Sequence, residues 1–508
     1  MRKSSRIENS TRNLVFGTVK YIVMILFPFI IRTVLIYKLG TEYAGISSLF
    51  SSILQVLSLS ELGFSTAVVY SLYEPVAEKN TVRICALLSF FRKVYRICGL
   101  FILFAGICVT PFVEQLISGS YPSDVNIHLL FVLFLLNTTI SYLFCGYKSV
   151  VFSANQRDDI LSKCTIAANT LVFIFQIISL FLFSSYYMYI ISMIIGTLFN
   201  NYFIHRYTKK MYNDISCKGM LAVEEQKRLV KSVGSLFGHQ LDMVIINSAD
   251  NIVISVFLGL NILTIYNNYF YILNALLSIL VMISNSFAGS IGNSIAIETK
   301  EKNYKNFIDF TYLIGMISSI AVILLFCLYQ DFIKLWMGSD MLLDVDIVLL
   351  ISISLYIRQF RRSLITYKIA AGIWAKDALK PYVACLANLI MNILMVKHIG
   401  LKGVVLSTIL SFALIEIPWE TIVFFKGYFN NGIRKYLVVQ FANLTKMVVI
   451  GLFAYRISEL VIVNAIFPFF LKAIGLGVFV TLLYIIVSYK DKEFSYILGR
   501  VNFIIKRG

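Results

Sequence analysis

Apolar stretches of about 20 residues, the length that a helix needs to cross the ~30 Å hydrocarbon core of a bilayer, recur along the whole chain. On this scale the sequence predicts about fourteen transmembrane helices. The first six cover residues 14–39, 43–70, 97–117, 125–152, 160–183 and 186–207. The other eight cover residues 233–258, 261–287, 310–336, 347–371, 382–399, 404–425, 436–457 and 461–489. We therefore expect an all-α, polytopic transmembrane helical bundle.

The composition agrees with a membrane protein and excludes several other classes. Hydrophobic residues make up 58% of the 508 residues and charged residues only 14%, whereas a soluble domain carries about 25% charged residues. Aromatic residues at 15% exclude a disordered chain. The eight cysteines show no CxxC or Cys/His zinc pattern, and no GxxxxGK[ST] phosphate loop is present. We expect no metal site, no cofactor and no enzymatic activity.

The net charge of +18 is distributed as in a membrane protein rather than as in a nucleic-acid-binding protein. Lys and Arg recur in short clusters between the apolar stretches, for example in residues 358–380 and 490–507. Such clusters mark cytoplasmic loops, because basic residues are enriched on the inner side of membranes. The pattern predicts a multi-pass protein of the cytoplasmic membrane with both termini in the cytoplasm, and no nucleic-acid partner.

The two halves of the chain resemble each other weakly. The segment RTVLIYKLG, which ends at Gly40, matches NIVISVFLG, which ends at Gly259, and EPVAEKN at Asn80 matches IETKEKN at Asn303. Six spans in each half would make a parallel repeat about an axis along the membrane normal. The predicted organisation is an N-lobe at 1–207, a cytoplasmic linker at 208–232, a C-lobe at 233–427, and two extra spans with a basic tail at 428–508.

Ionisable residues inside the spans are costly there and mark candidate sites. The first span carries Lys20 and Arg32, which lie ~18 Å apart along a helix. Either residue could face a wet cavity, or Lys20 could reach the inner membrane surface and Arg32 the outer one.

Three arginines in the tenth span are the strongest basic signal. Arg358, Arg361 and Arg362 have i, i+3 and i+4 spacing, which predicts one shared helical face. Guanidinium groups suit bidentate binding of phosphate, so a basic cavity formed by this face would take an anionic ligand. A shorter span, with the three arginines in the cytoplasmic headgroup layer, fits the sequence equally well.

Acidic residues supply candidate sites for ion coupling. Asp242 and Asp250 lie in the seventh span, and Glu61 lies in the second. A buried carboxylate could take up a proton or Na⁺, or it could form an interhelical ion pair with Arg32 or another cation. Glu416 and Glu420 are expected at the inner membrane interface.

Several sequence blocks together resemble one known family. The blocks are residues 32–80, SADNIVISVFLG with YNNYFYI, AGSIGNSIA, and YIRQFRRSLITYKIAAG. They resemble the Wzx-type polysaccharide flippases of the multidrug/oligosaccharidyl-lipid/polysaccharide (MOP) exporter superfamily, most closely the capsule and exopolysaccharide members of Gram-positive bacteria. The likeness covers most of residues 12–430 in the same order.

This resemblance implies a two-lobe helical transporter that moves undecaprenyl-pyrophosphate-linked oligosaccharide repeat units to the outer leaflet by alternating access. Candidate cationic contacts to the pyrophosphate are Arg32, Arg358, Arg361, Arg362 and Lys20, and candidate contacts to the sugars are Gln55, Asn247, Asn251, Asn267 and Asn268. Coupling to H⁺ or Na⁺ would fall to Asp250, Glu61 or Asp242. Implied partners are the lipid-linked substrate, the bilayer, and the polymerase and glycosyltransferases of the same pathway.

Three other functions remain open at this point. A drug or small-cation exporter of the MATE type would want an acidic cavity, which the arginine excess disfavours. A membrane-embedded glycosyltransferase or polymerase would be expected to carry a large polar loop or a catalytic acid/base pair outside the membrane. No loop is long enough for a folded domain. A non-transporting scaffold of the synthesis complex is the third alternative.

Overall fold

The computed structural model describes residues 6–61, 64–373, 377 and 379–505, and its regular elements are helices. The first ten α-helices are α1 (Arg6–Lys38), α2 (Thr41–Leu57), α3 (Phe64–Ala77), α4 (Thr81–Val109), α5 (Ile127–Leu143), α6 (Ser149–Ala154), α7 (Asp158–Ile178), α8 (Tyr186–Met211), α9 (Val223–Leu258) and α10 (Leu260–Ser286). The others are α11 (Ala288–Ile297), α12 (Lys300–Met337), α13 (Val345–Phe360), α14 (Arg362–Ala370), α15 (Lys380–Ser411), α16 (Ile417–Phe424), α17 (Ile433–Glu459), α18 (Ile466–Ser488) and α19 (Lys492–Ile505). The predicted all-helical, polytopic architecture is confirmed.

Each of the fourteen predicted spans falls on helix, but several are interrupted. Within the described residues, nine helices are long and apolar enough to cross a membrane, or ten if α5 and the bent segment Gly146–Ala154 form one span. The number of such helices is lower than the fourteen predicted spans partly because some of these spans are divided between two helices. The second span comprises α2 and α3, and the tenth comprises α13 and α14.

The eleventh and twelfth spans form one long helical segment, Lys380–Phe429, with a sharp turn inside it. A straight helix of 50 residues would be ~75 Å long, more than twice the thickness of the hydrocarbon core. The backbone leaves the helical conformation at Ile399 and Gly400, and Gly400 has φ +58°. Asn388 donates to Thr408 at 3.2 Å across this turn, so the two parts of α15 fold back on each other. They correspond to the two predicted spans.

The chain forms two compact units, Met1–Thr264 and Ile265–Gly508. In the first unit α1 packs on α7, α7 on α8, α4 on α5, and α2 on α9. The Phe50 ring makes edge contacts with Phe131 and Phe134 in its core. The predicted linker 208–232 contains the end of α8 and the beginning of α9, and the predicted lobe boundaries stay a prediction.

In the second unit α12 is the central helix and packs against α13, α17, α18 and α19. The buried Phe307 ring lies 5.0 Å from Tyr367 and 5.6 Å from Tyr436, measured between ring centroids. Lys446 on α17 pairs with Asp491, which directly follows the turn after α18. Apolar packing and a partly buried ion pair therefore hold the C-terminal helices against α12.

The internal repeat is visible in the backbone at its first match. Gly40 separates α1 from α2 with φ +119° and ψ 172°, and Gly259 separates α9 from α10 with φ +88° and ψ 175°. Only glycine adopts this region without strain, which explains why both copies carry it. The two segments of the second match, which end at Asn80 and Asn303, differ in structure. Asn80 caps α4, whereas Asn303 lies inside α12 and donates to the Ser294 carbonyl.

Candidate functional site

The three arginines of the tenth span lie close together, but not on one continuous helix. Helix α13 ends at Phe360, α14 begins at Arg362, and Arg361 joins them with φ −85° and ψ −3°. The prediction of one shared helical face is therefore wrong. The break occurs where side chains from α17 bind the Phe360 carbonyl, which accepts from Gln440 at 2.6 Å and Tyr436 at 3.2 Å.

A shared aromatic ring keeps two of these arginines together. The guanidinium carbon of Arg358 lies 5.2 Å from the centre of the Phe412 ring, and that of Arg361 lies 5.3 Å from it. Both distances are typical of cation–π contacts. Arg358 is half-buried and Arg361 is buried. We call Arg358, Arg361 and Arg362 the arginine site.

Arg361 belongs to a buried network of ion pairs. Its Nη1 donates to Glu416 and its Nη2 donates to Glu420 at 2.9 Å. Lys380 Nζ donates to the same two carboxylates, at 2.9 Å and 2.8 Å. Lys368 lies 3.5 Å from Glu420 and also pairs with Asp377. We call these six side chains the charge network: Arg361, Lys368, Lys380, Asp377, Glu416 and Glu420.

The charge network is neutral as well as buried. Its three cations and three carboxylates are each between 0% and 8% exposed. Burial of charge is tolerated only with such pairing, since an isolated ion pays several kcal/mol of desolvation. Glu416 and Glu420 balance Arg361, Lys368 and Lys380 inside the unit. Their expected position at the inner membrane interface stays a prediction.

Arg362 differs from Arg361 in its hydrogen-bond acceptor. Its Nη2 donates to Asn285 Oδ1 on α10 at 2.6 Å. The acceptor is a neutral amide, so the positive charge of Arg362 adds to the neutral charge network beside it. Arg362 is also only half-buried. It is the member of the arginine site best suited to meet an external anion.

The candidate cations of the first span are not brought together. Arg32 is half-buried and donates to the Thr264 carbonyl at 3.2 Å, near the beginning of α10. Lys20 is partly exposed and lies three turns earlier on α1, ~18 Å away along the axis. The two could serve one ligand only at different depths.

Two of the predicted sugar contacts bind side chains of neighbouring helices. Ser248 donates to Gln55 at 3.1 Å, and Asn251 donates to Ser52 at 2.8 Å. These two contacts form what we call the α2–α9 seam. Beside it, Ser255 of α9 donates at 2.7 Å to the carbonyl of Leu116, which lies beyond the end of α4. Gln55 and Asn251 thus join α2 to α9 in this conformation.

Glycine lets the seam close tightly. A Cβ built on Gly45 would lie 2.6 Å from the Leu260 carbonyl oxygen, and one built on Gly259 would lie 2.8 Å from the Ser118 carbonyl oxygen. No larger side chain fits at such distances unless the backbone moves. The beginning of α10 therefore packs directly against α2.

The remaining candidates are distributed over both units. Asp250 is 1% exposed on α9, one residue before Asn251 of the seam, and Asn247 is half-buried one turn earlier. On α10, Asn267 is half-buried and Asn268 is buried. The side chains of Asp242 and Glu61 lie outside the described residues. The roles of all these residues stay predictions.

Sequence reasoning missed the two lysines, Lys368 and Lys380, and the carboxylate of Asp377. The sequence does indicate the carboxylates that bind these lysines. Glu416 and Glu420 have i, i+4 spacing and so share a helical face inside an apolar span. Two carboxylates on one buried face require nearby cations. The basic residues between 358 and 380 were the available donors.

No protein-family model and no curated protein matches the chain. Solved structures do match. The lipid II flippase MurJ, in an inward closed conformation, matches with TM-score 0.68 and 17% identity over 94% of this chain and 99% of that one. An inward-facing multidrug resistance MATE family transporter of the MOP superfamily matches with TM-score 0.63 and 12% identity, covering 84% and 94%. This chain has the MOP transporter fold.

A third MOP superfamily structure matches as well. It is a transporter from Pyrococcus furiosus, for which the reverse polarity of the binding pocket suggests a different function, and it matches with TM-score 0.53 and 11% identity over 87% of this chain and 95% of that one. These matching MOP structures are of transporters and a flippase. At such identities the likeness establishes the fold and not the cargo.

Proposed function

We propose that the protein is a flippase that moves an anionic, lipid-linked oligosaccharide across the cytoplasmic membrane by alternating access. The proposed cargo is an undecaprenyl-pyrophosphate-linked repeat unit for capsular or extracellular polysaccharide. The observation that carries this proposal is the arginine site, in which Arg362 adds a positive charge beside the neutral charge network. A pathway polymerase and glycosyltransferases would be its partners.

The arginine site fits the physical problem that such a cargo poses. A pyrophosphate headgroup loses its hydration when it crosses a low-dielectric slab, and only compensating cations make that crossing affordable. Guanidinium groups bind phosphate oxygens through paired N–H donors. A drug or small-cation exporter would instead use carboxylates, and here the carboxylates beside the arginine site already bind Arg361 and the two lysines.

Similarity to the lipid II flippase supports a lipid-linked cargo. That structure covers 94% of this chain, whereas the MATE transporter covers 84%. The lipid tail could remain in the bilayer while the headgroup and sugars pass between the helices.

In an alternating-access cycle, the α2–α9 seam would act as the closure on one side of the membrane. If the N-terminus is cytoplasmic, α1 and α9 run outward, and Gly40 and Gly259 lie at the outer end. The seam would then close the outer side and open when the cargo is released. Asp250 is buried next to the seam residue Asn251, and in this proposal it would couple the opening to H⁺ or Na⁺.

The test is deletion and rescue in the organism that makes the polysaccharide. Deletion should cause lipid-linked repeat units to accumulate in the inner leaflet, and the wild-type chain should restore export. Arg362→Gln should fail to restore it while reaching the membrane in normal amounts. The matched control is Arg456→Gln, because the Arg456 side chain is 83% exposed. Normal export by Arg362→Gln, or no accumulation after deletion, would contradict the proposal.

A further inference from the structure

Helix α17, the thirteenth predicted span, binds the backbone at the point where α13 ends. The last residue of α13 is Phe360, and the carbonyls of a last helical turn have no partner within their own helix. Gln440 Nε2 donates to the Phe360 carbonyl at 2.6 Å, and the Tyr436 hydroxyl donates to it at 3.2 Å. Both side chains are buried, so water cannot replace either donor. Two side chains of α17 therefore satisfy this carbonyl.

Further contacts hold the end of α13 against α17. The Phe360 ring makes edge contacts with Tyr436 and Phe441, with centroid distances of 6.2 Å and 6.5 Å. Tyr356, one turn earlier on α13, donates to the Gln440 carbonyl at 3.4 Å. Main chain, hydroxyl and ring of α13 thus all contact the same turn of α17.

Helix α17 is itself fixed to α12, the central helix of the second unit. Asn443 and Lys446 donate to the carbonyl and the hydroxyl of Tyr312, at 3.4 Å and 3.1 Å. Near the other end of α17, Ser458 donates to the Cys327 carbonyl at 3.0 Å. Because α17 is bound along its length, it can impose a fixed position on the end of α13.

We propose that Gln440 and Tyr436 are positioning residues for anion binding at Arg362. The proposal rests on the function proposed above and gives the thirteenth span a part in it. A sharp break in a helix requires groups that replace the lost helical hydrogen bonds, and the two donors on the Phe360 carbonyl are such groups. They hold the break at Arg361, and with it the direction in which α14 leaves.

The direction of α14 decides where the guanidinium of Arg362 lies, because Arg362 is the first residue of that helix. Its Nη2 donates to Asn285 on α10 at 2.6 Å. Within the described residues, its Nε is buried and has no hydrogen-bond partner, so this N–H remains for a ligand. A phosphate oxygen suits it, and paired N–H donors bind phosphate only in a defined orientation. A shift of α14 would therefore reduce the affinity for the anion.

The experiment compares pyrophosphate affinity in matched variants. Purified full-length protein is titrated with farnesyl pyrophosphate by calorimetry. Gln440→Met removes the amide donor with little change in volume, and we expect the affinity to fall about 5- to 50-fold. The matched control is Gln330→Met, because Gln330 Nε2 also donates to a carbonyl at 2.6 Å, that of Leu343 before the opposite end of α13. It should keep the wild-type affinity within about twofold.

A milder pair of variants serves if Gln440→Met does not fold. Tyr436→Phe removes one hydroxyl from the Phe360 carbonyl and should weaken binding about 2- to 10-fold. Tyr484→Phe also removes one buried hydroxyl, which donates to Asn443 at 2.9 Å, and should leave the affinity unchanged.

A double-mutant cycle separates positioning from general destabilisation. In an Arg362→Gln background, Gln440→Met should cause little further loss of affinity, because Gln440 acts through Arg362. The same fold-loss in both backgrounds would show that α17 does not act through Arg362, and would overturn the inference.

The results also distinguish this inference from the proposed function. Wild-type affinity in Gln440→Met and Tyr436→Phe, with weakened binding by Arg362→Gln, would overturn the positioning role and leave the flippase proposal standing. Absence of pyrophosphate binding by the wild type would overturn the inference, and normal export after deletion of the chain would overturn the proposed function as well.

Discussion

Replacing Arg361 tests whether charge balance stabilises the second unit. Arg361→Gln removes the guanidinium that donates to Glu416 and Glu420, and leaves Lys368 and Lys380 against three carboxylates within the charge network. The network would then carry a charge of −1. Because Arg361 is only 8% exposed, water cannot compensate. Loss of one partner from a buried pair costs about 3–5 kcal/mol, and we expect a decrease of this size in the free energy of unfolding.

A second substitution should recover part of that loss. Arg361→Gln/Glu416→Gln removes one charge of each sign, so two lysines face two carboxylates. The double variant should be more stable than Arg361→Gln alone, and the coupling free energy between the two positions should be about 1–3 kcal/mol. Unfolding of the purified protein in mixed detergent micelles gives all the values of the cycle. Arg456→Gln, the exposed control, should lie within about 0.5 kcal/mol of the wild type.

Either of two results would refute this reasoning. An Arg361→Gln variant as stable as the wild type would mean that the guanidinium does not balance Glu416 and Glu420. A double variant no more stable than Arg361→Gln would mean that the loss comes from packing rather than from charge.

Three further predictions concern other parts of the chain. Gly45→Leu should prevent closure of the α2–α9 seam and abolish export, measured by rescue of the deletion, whereas Gly477→Leu on α18, where a Cβ meets no atom within 4 Å, should rescue normally. Asp250→Asn should abolish dependence of flipping on the H⁺ or Na⁺ gradient in proteoliposomes, and an unchanged dependence would exclude Asp250 from coupling. Lys446→Met leaves the partly buried Asp491 without its cation, and should lower the free energy of unfolding by about 1–3 kcal/mol; no change would show that the ion pair adds nothing.

The fold follows from local features of the sequence. Apolar length places helix in every predicted span, because membrane helices satisfy their own backbone within one segment. The matched glycines, Gly40 and Gly259, lie at positions where the backbone has a positive φ, which residues with a side chain rarely adopt. These features depend on neighbours in sequence, so they could be predicted from the chain alone.

The arginine site could be predicted only in part. Residue type and spacing brought Arg358, Arg361 and Arg362 into one region. The helix break at Arg361, however, coincides with hydrogen bonds to the Phe360 carbonyl from Gln440 and Tyr436, which lie 80 and 76 residues beyond Phe360. Spacing on one helix carries no information about such distant hydrogen bonds.

The charge network could not be predicted from composition or spacing. Its ion pairs join Arg361 to Glu416 and Glu420, which are 55 and 59 residues away. Positive charge in a sequence reports the number of cations and not which of them are already neutralised. The distinction between Arg361 and Arg362 therefore required the structure.

The most direct test is flipping by the purified protein alone. Proteoliposomes would carry a polyprenyl-pyrophosphate-linked oligosaccharide in one leaflet, and its appearance in the other would be followed by enzymatic modification of the exposed sugar. We predict that the wild type accelerates transfer over protein-free vesicles, and that Arg362→Gln slows it about 10- to 100-fold, as expected for loss of a charged hydrogen bond of ~1.5–3 kcal/mol. No acceleration by the wild type, or transfer by Arg362→Gln at the wild-type rate, would contradict an anionic lipid-linked cargo held by the arginine site.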